Sequence, residues 1–73
     1  MNAELFFYED HENLYKILKS ENLNFNRASC FFSISENNLK IKVEAKDIIA
    51  FKTILNTILK IVETYYKAIK NKI

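Results

Sequence analysis

The hydrophobic period of this chain changes once, without a break, between Leu39 and Lys70, and that change constrains the fold more than any other feature. Leu39, Ile41, Val43 and Ala45 alternate with Lys40, Lys42 and Glu44. A period of two with one polar side is the pattern of a strand that buries one face. From Asp47 onward the apolar residues step by four and three: Phe51, Leu55, Ile58, Val62, Tyr65, Ile69. That spacing makes one stripe of an α-helix. Ile48, Leu59 and Tyr66 flank the stripe on one side, Ile54 and Ile61 on the other. At about 100° per residue the apolar arc spans roughly 160°, whereas a helix laid on one small sheet needs about 100°. The surplus predicts a second surface for this helix to cover, such as a partner protein.

The chain has 73 residues, 49% of them hydrophobic, with six phenylalanines and four tyrosines. A single domain of this size buries only about 60% of its unfolded surface. Some of its apolar surface is therefore expected at an interface, and oligomerisation is one way small domains gain stability. There is no glycine and no proline. That excludes a phosphate-cradling Walker loop, a dinucleotide fingerprint and a KH-type clamp, which need glycine for close backbone approach. Left-handed turns must fall to Asn and Asp, and the chain has nine asparagines.

The net charge of +2 does not by itself point to nucleic acid. Residues 1–25 carry Glu4, Glu9, Asp10, Glu12 and Glu21 against Lys16 and Lys19; the remainder carries nine bases against four acids. Arg27 is the one arginine, so bidentate phosphate or guanine contacts are scarce. The lone Cys30 cannot form an internal disulfide, which fits a reducing compartment. No apolar run approaches the roughly 18–20 residues of a membrane span and no signal-peptide pattern is present, so a cytoplasmic location is expected.

Ala3, Leu5 and Phe7 alternate with Glu4, Phe6 and Tyr8, predicting a first strand. Asp10 is placed to cap a helix that runs to about Ser20 on a narrow stripe of Leu14, Ile17 and Leu18. Residues 21–26 read as a loop pinned by Leu23 and Phe25. Ala28, Cys30, Phe32 and Ile34 alternate with Ser29, Phe31, Ser33 and Ser35, a second strand, and Glu36-Asn37-Asn38 forms a hairpin turn. Asp47 is the expected N-cap of the long helix. The order β-α-β-β-α with a right-handed crossover predicts an α+β domain over residues 1–73. Its sheet has three strands, mixed or antiparallel, with the third strand central and both helices on one face. The final helix, at about 1.5 Å per residue, spans roughly 36 Å and overhangs strands of roughly 23 Å.

No residue pattern reads as catalytic. His11 lies among Asp10 and Glu12, but adjacent helix positions do not face one point, so a solvated helix start is the reading rather than a metal site. Cys30 falls on the apolar side of its strand with no histidine nearby in sequence, a small core residue. Ser29, Ser33 and Ser35 have nothing to activate them. No metal and no cofactor are expected. Phe6, Tyr8 and Phe31 point away from the helix-covered face, beside Lys40 and Lys42. Such a face stacks bases in RNA-recognition sheets, or buries against a second copy. The serines and the scarcity of arginine favour the second use, making Phe6, Tyr8 and Phe31 the candidate dimer contacts. Lys52, Asn56, Lys60, Glu63 and Lys67 form the polar face of the long helix, and Lys60, Lys67, Lys70 and Lys72 give its end a basic character.

From Asn26 to Ala68 the chain resembles the transcription-factor-Pcc family, the small dimerising subunit of the KEOPS (EKC) complex. The residues that carry the resemblance are Asn26-Arg27-Ala28-Ser29, Val43-Glu44-Ala45-Lys46-Asp47, Ala50-Phe51-Lys52 and Leu55-Asn56-Thr57-Ile58-Leu59-Lys60. Asp47, Ala50, Leu55, Asn56 and Leu59 match the family pattern. Lys52 and Lys60 stand where arginine is common, Thr57 where serine is common, and Phe51 replaces an aliphatic residue. The resemblance implies a single small-subunit-like domain without catalytic activity. It further implies a homodimer in which each copy docks the catalytic threonylcarbamoyltransferase subunit through its helices. The assembly also holds a kinase subunit and places threonylcarbamoyl on a tRNA adenosine. On that basis Lys52, Asn56, Ile58, Leu59, Lys60, Val62 and Glu63 are the candidate partner interface, with Ile58, Leu59 and Val62 expected to mix core and partner contacts. Arg27, Lys67 and Lys70 are the candidate tRNA contacts. The lysines at 52 and 60 lack the bidentate fork of arginine.

Overall fold

Five elements follow one another in a computed structural model that describes residues 1–21, 23 and 25–70. They are β1 (Asn2–Phe7), α1 (His11–Ser20), β2 (Ala28–Ile34), β3 (Leu39–Ala45) and α2 (Ile48–Lys70). The strands lie in the order β1-β3-β2, and both outer strands run antiparallel to β3. The α+β class, the element order and the central place of the third strand agree with the sequence reading. Tyr8 falls one residue beyond β1 rather than inside it. Lys72 and the polar residues Asn22 and Asn24 of the 21–26 loop lie outside the described residues.

Alternation in each strand does the sorting. Leu39, Ile41 and Val43 on the central strand are fully buried, while Lys40 and Lys42 reach solvent on the other side. The register places Leu5 and Phe32 on either side of Ile41, and Ala3 and Cys30 on either side of Val43. One apolar sheet face results, and Leu14 and Leu18 of α1 with Ile54, Ile58 and Val62 of α2 complete the core upon it. Leu23 and Phe25 also pack against the core, which pins the loop as expected. Burial raises the pKa of the Cys30 thiol, as befits a half-buried packing residue.

The long helix turns a different line inward than the 51–55–58–62 stripe alone implies. Ile54, Ile58 and Val62, spaced i, i+4, i+8, are its buried residues, and Phe51, Leu55, Ile61 and Tyr65 sit half-buried at the margins. Asp47 caps the helix: its Oδ1 accepts from the Ala50 amide at 2.8 Å. Its Oδ2 pairs with the Arg27 guanidinium. The Arg27 carbonyl accepts from the Lys46 amide at 3.0 Å, so the entries of β2 and α2 are joined by backbone as well as charge.

The start of α1 is built differently from the sequence reading. Asp10 occupies the N-cap position, but its side chain makes no capping bond. Its backbone is left-handed, φ 49°, whereas a capping residue normally has extended geometry that aims its oxygen at the helix amides. In this glycine-free chain Asp10 is the one positive-φ residue among those described. The hairpin asparagines do not take that role. Their turn is closed instead by the Ser35 amide donating to Asn38 O at 2.9 Å and by the Asn38 amide donating to Ser35 Oγ at 3.2 Å.

Candidate interaction surfaces

The freed carboxylate of Asp10 tethers the far end of α2. Asn13 Nδ2 donates to Asp10 Oδ1 at 2.9 Å, and the Tyr65 hydroxyl donates to Asp10 Oδ2. The Tyr66 hydroxyl donates to the Glu9 carbonyl at 2.9 Å. Two adjacent tyrosines thus hold the overhanging turns of the helix against the β1–α1 corner. The sequence reading missed this anchor, because residues 55 and 57 positions apart share no local pattern. The carboxylate beside Tyr65 pushes its pKa up to about 12, first through the hydrogen bond and then through burial. Burial raises that of Tyr66, with Glu9 and Asp10 adding to it. A raised folded-state value stabilises the fold below the ordinary tyrosine value of about 10, and that contribution is lost as pH rises through the folded value. The stability difference between the parent protein and Tyr65→Phe is therefore expected to be constant below about pH 10 and to shrink between about 10 and 12. Urea titrations at a series of pH values check it.

His11 is not a simply solvated helix start. Its Nδ1 lies 3.3 Å from the Tyr8 carbonyl and its Nε2 3.0 Å from the Ser35 carbonyl, so the ring bridges the β1–α1 corner and the β2–β3 hairpin. A neutral imidazole has one N–H and donates to one of these acceptors at a time. Among the described residues no three His, Cys, Asp or Glu side chains gather as metal ligands do.

The outer side of α2 is where most of the expected partner residues fall. Lys52, Asn56, Lys60 and Glu63 are exposed, and Leu59 keeps 45% of its surface in solvent. Ile58 and Val62 do not join them. Both are buried against the sheet, because they lie on the helix line that faces β3, so of the three residues expected to mix core and partner contacts only Leu59 reaches solvent. Of the candidate tRNA contacts, Arg27 is paired with Asp47 and Lys67 with Glu63 at 2.9 Å, while Lys70 is exposed in the last turn. An apolar groove of about 560 Å³ runs between the helices, with Ile17 on one wall and Ile61, Tyr65 and Ala68 on the other.

The open sheet face carries Phe6 and Phe31 at 49% and 55% exposure, with Tyr8 at 65% beyond the end of β1. The two phenylalanines do not meet. Phe6 is opposite Lys40 and Phe31 opposite Lys42, so the central strand puts a lysine beside each. Lys40 lies 3.5 Å from Glu4 and Lys42 3.7 Å from Glu44, exposed pairs of little energetic weight. Two lysines and two glutamates leave this face neutral, a poor match to a phosphate backbone. The outer edge of β2 differs: past Ala28, which bridges Phe25, it pairs with no other strand among the described residues, and its seven residues, Ala28–Ile34, include no charged side chain.

Compared with protein-family models, curated proteins and solved structures, the chain matches none. Among the described residues no helix is long and apolar enough to cross a membrane.

Proposed function

We propose that this chain is a non-catalytic scaffold, the small subunit of a KEOPS-type assembly. It dimerises and docks the threonylcarbamoyltransferase subunit that modifies tRNA. The observation that carries the reading is the outer side of α2. Lys52, Asn56, Leu59, Lys60 and Glu63 stand exposed on a helix whose core needs are met by Ile54, Ile58 and Val62. The positions that resemble the family, Asp47 and Ala50, make the N-cap bond, and Leu55, Asn56 and Leu59 lie on or beside this outer side. Lys52→Glu combined with Lys60→Glu is expected to abolish co-purification with the transferase subunit. The circular dichroism spectrum should not change, since both side chains are exposed. An intact complex on an unchanged fold overturns the docking face.

The homodimer uses the free edge of β2. An uncharged edge strand without proline invites pairing with another strand. An antiparallel two-fold centred on Phe31 sets Cys30 against Phe32 and Ser29 against Ser33 of the second copy, apolar with apolar and polar with polar. Phe6 and Tyr8, on the far side of the sheet, are left outside this contact. Ser29→Lys with Ser33→Lys places like charges across the two-fold and is expected to give a monomer by light scattering. A dimer that persists overturns the edge contact.

A further inference from the structure

The β1–α1 corner holds a side chain with two competing uses. Asp10 stands at the N-cap position of α1, where a carboxylate on an extended backbone accepts from the helix amides two or three residues on. Its backbone is instead left-handed, φ 49° and ψ 39°, a region that aspartate occupies at a cost. In that conformation the carboxylate makes no cap and turns to Asn13 Nδ2, at 2.9 Å, and to the Tyr65 hydroxyl. Tyr66 bonds the Glu9 carbonyl, which belongs to the planar peptide group that enters Asp10. A change of φ at Asp10 rotates that group against α1, so both tyrosine bonds depend on one dihedral angle. The first turn of α1 is placed independently, since His11 Nε2 lies 3.0 Å from the Ser35 carbonyl on the hairpin. Glu9 and Asp10 are exposed, so water competes for the tyrosine bonds, and tether and cap are of similar net strength.

We infer that this corner is a two-state latch on the overhanging end of α2. In the latched state Asp10 is left-handed and both tyrosines are bound. In the released state Asp10 is extended, its carboxylate caps α1, and Tyr65 and Tyr66 come free together. The cap gained and the backbone relaxed offset the tether lost, which keeps the two states close in free energy. Tyr65 is also part of the wall that stands opposite Ile17 in the apolar groove between the helices. Release frees that wall and the turns beyond it, while Ile54, Ile58 and Val62 stay on the sheet. The groove is thus adjustable at one end without unfolding of the core, and whatever displaces Tyr65 from its wall shifts the population toward the released state.

Amide hydrogen exchange of the full chain, read residue by residue by NMR, tests the latch. Tyr65→Phe removes the tether and keeps the ring. It is expected to raise protection at the Glu12 or Asn13 amide about fivefold, as one N-cap bond supplies, and to lower protection across residues 64–70. The strong amide–Hα NOE within Asp10 that a positive φ produces is expected to weaken. Adding Asp10→Ala to Tyr65→Phe is expected to cancel the gain in α1 and to leave the loss in α2. A first turn of α1 no better protected in Tyr65→Phe overturns the inference, and so does a gain that survives Asp10→Ala. Unchanged protection across residues 64–70 also overturns it, because the tether then holds nothing in place.

Discussion

Ile58→Ala is expected to cost about 2–5 kcal/mol in urea unfolding, the range for truncating a fully buried isoleucine and leaving a cavity. Ile58 lies at the centre of the buried line of α2 and has no solvent exposure. Total stability for 73 residues is roughly 4–11 kcal/mol at about 0.05–0.15 kcal/mol per residue, so this one change removes a large share of it. Its neighbour is the control. Leu59 is 45% exposed, and Leu59→Ala is expected to stay within about 0.5 kcal/mol of the parent. Equal losses at the two positions show the helix rotated from the orientation described, and with it the division between core and solvent side.

Asp47→Ala is expected to lower stability by about 1–2 kcal/mol. The cap bond to the Ala50 amide contributes about 1 kcal/mol on its own. The pair with Arg27 adds at most about 1 kcal/mol, because the guanidinium is largely exposed. Asp47→Asn separates the two: asparagine keeps a capping oxygen and loses the charge, so it should recover the larger part. If Asn is as damaging as Ala, the ion pair rather than the cap holds the start of α2. Either result bears on the proposed docking face, since Lys52 and Leu59 lie on the turns that this cap precedes.

Much of the fold was legible because its signals are local. The alternation of Leu39–Ala45 placed β3, and the capping role of Asp47 follows from one carboxylate three residues before Ala50. The helix orientation was legible only in part. An apolar arc of about 160° admits several rotations, and the sheet chose the one that buries Ile54 with Ile58 and Val62. For the same reason Ile58 and Val62, expected to mix core and partner contacts, turn out to be core alone. His11 and Asp10 were misjudged because their partners are Ser35 and Tyr65, distant in the chain.

The sequence by itself determined which residues could share a face, because the periods of strand and helix are set by backbone geometry common to all chains. It determined the element order and, through the absence of glycine, that any left-handed turn must rest on a residue such as Asp10. Only the tertiary structure decided which part of each face is used. It assigned the buried line of α2 to the sheet and left Ile48, Lys52 and Leu59 outside. It also tied the helix overhang to the β1–α1 corner through Tyr65 and Tyr66. Those choices depend on contacts between distant segments, whose energies exist only once the strands are in register.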